Sequence, residues 1–531
     1  MKKIFNYKLL TVFTVLLFSS ISCTKDFDEI NTNNNRPTSS QAAPEMLLTQ
    51  CIESMTDRVH EIFLGEEMGS CWVQHQAKVQ YTDEDRYRPR VSVINNTWAS
   101  FYAVSGMDAQ AIIGIAKARG AQYDNYQAAA LVLKCYIMSV LTDLFGDVPY
   151  NEAFKARATD GGILTPVYDT QASIYADLIL QLKNANSLFD KNKPLEGDIL
   201  YGNDVTKWKK FANSLRIRLI MRQSDVVSPI AELDDMLVTN AATYPIFESN
   251  DDNAALAYLG SSPNNNPVNE NRKTRDDHRV SQTIIDYMWT YGLDMRVTVY
   301  ANPAANPNDY VGLPNGLPSA EAAAFNGNGI AETSKLGSYF TAATAPGMLM
   351  SYAELQLLLS EATFRNFITT PPHTAQEYYE EGVYASFTQF KDAAGTYSEY
   401  LVADKVYNRW NAATLTSIYG TDSPTIDDIA IDYLTNEQGA WAGTLEQIGT
   451  ERWLATFDQG LQSWFDWRRT GYPVLTPAAG AYNPYIPQRV YYPSDEYSRN
   501  KAEVEAAAAS QSLVGTSDLN TKVWWDIADN H

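Results

Sequence analysis

Apolar residues recur at three- and four-residue spacing through most of this chain, a period that admits helices and little else. Ile174, Leu178, Leu182, Ala185 and Leu188 make one such stripe. Trp208, Phe211, Leu215 and Leu219 make a second, and Tyr352, Leu355, Leu359 and Ala362 a third. Leu131 to Leu144 is polar only at Lys134, Ser139, Thr142 and Asp143, which predicts a helix enclosed by others. Capping signals agree. Thr374 and Glu377, after Pro371-Pro372, open a helix carrying Tyr378, Gly382 and Ala385. Thr444 and Gln447 do the same ahead of Trp453.

Aromatic and small residues at matched places on successive helices are similar to tetratricopeptide helix pairs, although no repeat of fixed length is found. The predicted fold is mainly α, a tetratricopeptide-like helix-pair scaffold with an irregular, loop-rich binding portion. Two stretches break the helical pattern. Residues 248–347 hold SSPNNNPVNEN, ANPAANPND and GLPNG, all rich in turn formers. Residues 471–500 are rich in proline. On a helical scaffold, such segments form the face that varies and binds.

Charge narrows the function. The chain carries a net charge of −22, which argues against nucleic acid, because phosphate binding needs basic patches. Cys51, Cys71 and Cys135 are irregularly spaced and read as buried small hydrophobes rather than a disulfide or metal framework. His60-Glu61 begins like HExxH, but Leu64 stands where the second histidine is needed. No nucleophile elbow or Walker loop is present. With 63 acidic residues, chance carboxylate pairs are unavoidable, so none is assigned to glycoside hydrolysis. Asp251 and Asp252 lack EF-hand spacing and read as turn acids. The chain reads as a binding protein, not an enzyme, with no cofactor and no metal.

The N-terminus reads as an export signal over residues 1–22. Lys2, Lys3 and Lys8 precede an apolar run from Leu9 to Phe18, and Ser19, Ser20 and Ser22 lead into Cys23. A cysteine directly after the cleavage site is similar to a bacterial lipobox, with Ser20 where the usual motif has leucine. Cys23 is therefore the expected lipidation (palmitate) site. Removal of residues 1–22 takes three lysines and no acids, so the charge becomes −25. Asp26, Asp28 and Glu29 resemble the acidic surface-export tag of Bacteroidetes lipoproteins. Residues 23–40, ending in NTNNNRPTSS, read as a polar tether, and residues 41–531 as one helical body. After the leader, no segment is expected to approach the length of a transmembrane helix.

Six strings in order resemble the SusD/RagB family of outer-membrane nutrient-binding lipoproteins, in its SusD-like branch. They are TDLFGDVPYNEAF at 142–154, KWKKFANSLRIRLIMR at 207–222 and SYAELQLLLSEA at 351–362. YYEEGVYASF at 378–387, QSWFDWRRTGYP at 462–473 and PQRVYYPSDEYSRN at 487–500 complete the set. The resemblance implies a lipid-anchored, surface-exposed outer-membrane protein. It also implies a partner, a SusC-like TonB-dependent transporter that the protein covers as a lid, with a glycan or oligosaccharide, or in some members a peptide, as ligand. A glycan-degrading surface lipoprotein is the alternative outside the family.

Read from the residues alone, these strings are scaffold. Gly146 suits a helix end, and Pro149 fixes the exit turn. Arg216, Arg218 and Arg222 are expected to pair with carboxylates on neighbouring helices, and Trp464, Trp467, Arg468 and Arg469 to pack in a core or interface. The family supplies no ligand motif, so the binding face is argued from residue type. Trp72, Tyr81 and Tyr87 lie in WVQHQAKVQYTDEDRYRPR at 72–90, while Tyr258 and Tyr310 lie in the first irregular stretch. Their rings are expected to stack on sugars, with Gln80, Arg86 and Asn264 bonding hydroxyls or a peptide backbone.

Overall fold

The structure, a computed structural model, describes residues 42–157, 161–290, 292, 294–305, 309–390, 412–421, 424–457 and 459–528. Cys23, the export signal and the tether lie outside the described residues. Among those described, twelve α-helices reach ten residues or more. They are α1 (Pro44–His60), α2 (Val91–Ser100), α3 (Gly106–Arg119), α4 (Asp124–Phe145), α5 (Gln171–Leu188) and α6 (Val205–Arg222). After a long irregular stretch come α7 (Tyr352–Phe364), α8 (Ala375–Thr388), α9 (Ile426–Asn436), α10 (Leu445–Ala455), α11 (Gly460–Thr470) and α12 (Lys501–Ser510). From α3 to α6 each helix packs on the next, and α7 packs on α6, α8 and α10. The fold is mainly α, an array of helix pairs.

The stripes read from sequence face inward. Ile174, Leu178, Leu182 and Ala185 of α5, with Trp208, Phe211 and Leu215 of α6, have no exposed surface. Each such large apolar side chain contributes about 1.5–3 kcal/mol by leaving water. The α7–α8 crossing depends on a small residue, because a Cβ on Gly382 would sit 2.7 Å from Leu357 Cγ.

Helix ends are set by side chains. Thr170 caps α5 and Asp204 caps α6, each accepting from backbone amides of the first turn. Thr374 and Glu377 form a reciprocal capping box on α8. Thr444 caps α10 through Gln447 N, but the Gln447 amide oxygen accepts from Ala442 N at 2.7 Å instead of returning to the cap. α4 ends at Gly146, whose φ of +79° is costly for other residues, and a Cβ there would meet Gln511 Oε1.

One expectation is corrected. Ala121–Phe145, which includes α4, is long and apolar enough to cross a membrane. Its side chains are enclosed by neighbouring helices, so its apolarity serves the core.

The arginine-rich strings are internal. Arg216 pairs with Glu232, Arg218 with Glu354 of α7, and Arg222 Nη1 lies 4.0 Å from Asp143 of α4. Arg469 grips Glu361 with two bonds of 2.6 Å. Burial opposes ionisation of Glu361, but Arg469 and Arg452 outweigh it and hold the carboxyl well below the usual range. Trp464, Trp467 and Arg468 are buried, with Arg468 4.2 Å over the Trp464 ring.

Among the described residues of 248–347, no element exceeds six residues. Among the described residues, three two-stranded antiparallel ladders pin irregular segments. β1 (Gln76–Lys78) pairs with β5 (His278–Val280), β2 (Val148–Pro149) with β3 (Tyr168–Asp169), and β4 (Ala254–Leu256) with β6 (Gly347–Met350). The first of these ties the 72–90 segment to the loop-rich stretch.

Candidate functional site: an arginine-backed aromatic loop face

Behind β1, the chain from Val79 to Pro89 runs as turns over a buried ionic base. Lys78 Nζ lies 2.6 Å from Glu67 and 2.8 Å from Glu84, and Arg90 contacts both acids. Burial disfavours the Lys78 charge, yet the two carboxylates outweigh it and push its pKa up. Asp85 is wholly buried and joins two loops. It accepts from Asn315 Nδ2 at 2.6 Å, Gly316 N at 3.1 Å and Lys78 N at 3.3 Å. Burial pushes its carboxyl up to about 6 despite these donors.

Two of the expected stacking rings are pins beneath this loop. Trp72 is fully buried, donates Nε1 to Glu84 O at 3.0 Å and meets Trp464 edge-on at 4.8 Å. Tyr87 is buried, and its hydroxyl accepts from Ala478 N at 3.0 Å. Two others lie elsewhere. Tyr258 is buried and donates to Asp57 at 2.7 Å, and Tyr310 is buried edge-on to Trp289 at 5.0 Å. None of these four rings presents a face to solvent. Asn264 is exposed, in a turn where its carbonyl accepts from Leu259 N at 2.8 Å.

Tyr81 is different. It is 63% exposed at a φ of +52°, with the Arg275 guanidinium 4.1 Å from its ring centroid. Arg275 is held in turn by Asp277, to which its Nε donates at 2.9 Å. Gln80 beside it is half-buried. Arg86 builds a second platform. Its Nε donates to Gly480 O at 2.7 Å and its Nη1 to Tyr482 Oη at 2.9 Å, and its Cζ lies 4.1 Å over the Tyr482 ring. Tyr482 is 51% exposed, donates to Asp83 at 3.0 Å and bonds Arg86 O through its own amide.

The loop face thus carries two exposed tyrosines held by arginines, Tyr81 by Arg275 and Tyr482 by Arg86, with the Arg88 guanidinium a further 5.1 Å from the Tyr482 centroid. Tyr482, Arg275 and Asp83 were not singled out from sequence. The available signal was Tyr482 within the second irregular stretch, since that stretch supplies the partner of Arg86. An aromatic plane flanked by guanidinium and carboxylate groups suits a ring with an apolar face and polar edges, which describes a pyranose. No group of histidine, cysteine and acidic residues able to hold a metal occurs among the described residues.

A mainly helical array carrying a fixed aromatic loop face defines a binding scaffold. Residues 34–493 match the SusD-like family model described as starch-binding and associating with the outer membrane. The chain belongs to this SusD-like family of outer-membrane-associated binding proteins. Among solved structures it is similar to a chitin-binding protein, at 27% identity and a TM-score of 0.73, over 92% of this chain and 100% of that one. It is also similar to an outer-membrane protein from Bacteroides vulgatus described as probably involved in nutrient binding. That pair shares 25% identity at a TM-score of 0.71, over 91% of this chain and 100% of the other. A chitin-binding SusD homologue from Flavobacterium johnsoniae, at 23% identity and a TM-score of 0.67 over 91% and 100%, shares the fold. Comparison with curated proteins gave no match.

Proposed function

We propose that this protein is a glycan-binding nutrient-acquisition lipoprotein of the outer membrane, and that Tyr81 and Tyr482 form its stacking platform. The observation that carries the reading is the pair of exposed rings, each immobilised by an arginine before any ligand arrives. Preorganised rings lose little freedom on binding, so more of the stacking energy reaches the affinity. Gln80, Arg86 and Asp83 stand beside them to bond hydroxyls. The protein would bind rather than cleave its ligand. The family description and the chitin-binding relatives put starch and chitin fragments first among ligands to test.

The same reading places Cys23 under a lipid at the cell surface and sets the protein as lid on a SusC-like TonB-dependent transporter. Calorimetry with malto- and chito-oligosaccharides, and with peptides as the competing class, tests the ligand. Binding of peptides alone would reject the glycan reading. Co-purification with a transporter barrel from mildly solubilised membranes tests the partner, and recovery only as a lone lipoprotein after crosslinking counts against it.

A further inference from the structure

A second concavity lies in the helical scaffold and shares no residue with the loop face. It is a cleft of about 820 Å³ bounded by residues 236–248, α7 and α8, within the size range of small-ligand sites. Three features describe its chemistry. Glu377, Glu380 and Glu381 of α8 line it, and no lysine or arginine does. Tyr352 and Tyr378 supply aromatic walls. Gln356 and Tyr378, each only 6% exposed, also line it. Among the described residues, neither the Gln356 amide nor the Tyr378 hydroxyl has a hydrogen-bond partner. The polar ends of these two largely buried side chains meet solvent rather than protein, and a ligand in the cleft can bond both. Burial pushes the Tyr378 phenol up to about 12, which keeps its proton available for donation.

We propose that this cleft is a second ligand site, and that it takes an amino-sugar oligosaccharide bearing protonated amines. Ammonium groups answer the three α8 carboxylates, while Glu248, which also lines the cleft, is already paired with Lys210 at 2.7 Å. Sugar hydroxyls answer Gln356, which both donates and accepts, and Tyr378. The ring faces pack against the tyrosines. No β-strand borders the cleft, so an extended peptide has no sheet edge to join there.

The test is calorimetry on the purified full chain at pH 6, with glucosamine trisaccharide, N-acetylglucosamine trisaccharide and trilysine as probes. The glucosamine trisaccharide should bind about tenfold more tightly than either of the others. The Glu380→Gln/Glu381→Gln variant should lose about tenfold, as should Gln356→Ala, while Tyr378→Phe, which keeps the ring, should lose several-fold. Tyr81→Ala and Tyr482→Ala should leave this binding unchanged, which separates it from the loop face. Equal binding of the acetylated trisaccharide, equal or tighter binding of trilysine, or wild-type affinity in the double glutamine variant would each overturn the proposal.

Discussion

Arg218 and Glu354 meet across the α6–α7 contact as a closed fork, with Nε–Oε1 and Nη2–Oε2 both at 2.6 Å. Arg218 Nη2 also donates to Leu349 O of β6 at 2.9 Å, so one guanidinium joins two helices and a strand. Both side chains are buried. Burial disfavours the Arg218 charge, but Glu354 outweighs it and raises the pKa further. The geometry is bidentate and planar, which a lysine cannot reproduce.

Glu354→Gln leaves this guanidinium buried without its counter-charge and should cost about 3–5 kcal/mol. Replacing both partners, as Arg218→Met with Glu354→Leu, should recover most of that loss, because no orphan charge remains. Urea unfolding of the two variants and wild type measures the difference. A single variant within about 1 kcal/mol of wild type would show that the fork does not hold the helices together.

On the loop face, exposed and buried rings should behave oppositely. Tyr81→Ala or Tyr482→Ala should weaken glycan binding by about 2 kcal/mol, roughly 30-fold in Kd, with an unchanged unfolding midpoint. Trp72→Ala should instead cost about 3–5 kcal/mol of stability, since it opens a cavity beside Trp464. Calorimetry and denaturation on the same samples separate the two effects. Wild-type affinity in both tyrosine variants would remove this face from the binding site.

The helices were legible because their apolar periodicity is a local property, and the stripes at 174–188, 208–219 and 352–362 all turn inward. The arginines at 216, 218 and 222 were legible as paired because a chain buries such charges only with partners, although the partner's identity needed the fold. The proposed ligand face was chosen from sequence as a segment, and the structure sorts its residues one by one. Trp72 and Tyr81 stand nine residues apart in one polar stretch, and one is wholly buried while the other is mostly exposed. What separates them is the course of the turns over Lys78, Glu67 and Glu84, a contact set that no periodicity encodes. Tyr482 meets Arg86 across almost 400 residues of sequence, beyond the reach of local pattern. The cleft at Gln356 was hidden because Tyr352, Gln356 and Leu359 share the spacing of an ordinary core stripe.

Stability should also depend on Asp526. It is buried, and neither carboxyl oxygen has a hydrogen-bond partner. Burial pushes its pKa up to about 7, against the pull of Arg468. The folded state therefore holds this proton more tightly than the unfolded state does. Its contribution is full below the unfolded carboxylate range near pH 4 and is lost as pH rises through about 7. Each tenfold difference in proton affinity between the two states is worth about 1.4 kcal/mol. Asp526→Asn removes this titration. Relative to wild type, the variant should gain stability steadily from pH 4 to pH 8, by a few kcal/mol in all. Unfolding free energies at four pH values test the slope, and parallel curves would show that Asp526 ionises alike in both states.

The membrane attachment is predicted to rest on one sulfur. The proposed export signal covers residues 1–22, so Cys23 would be the first mature residue, and the acidic residues Asp26, Asp28 and Glu29 follow within six positions. A single acyl chain gives marginal, reversible membrane binding, so stable anchoring needs more than one. A cysteine at the mature N-terminus offers its thiol and its freed amine to acylation. The protein's net negative charge supplies no polybasic second signal. Cys23→Ala should therefore move the protein from the membrane fraction to the soluble fraction while its unfolding curve stays unchanged. Mass spectrometry of the wild-type N-terminus should show an acylated cysteine as the first residue. An unmodified Cys23, together with membrane retention of the alanine variant, would transfer the anchoring role to the protein body.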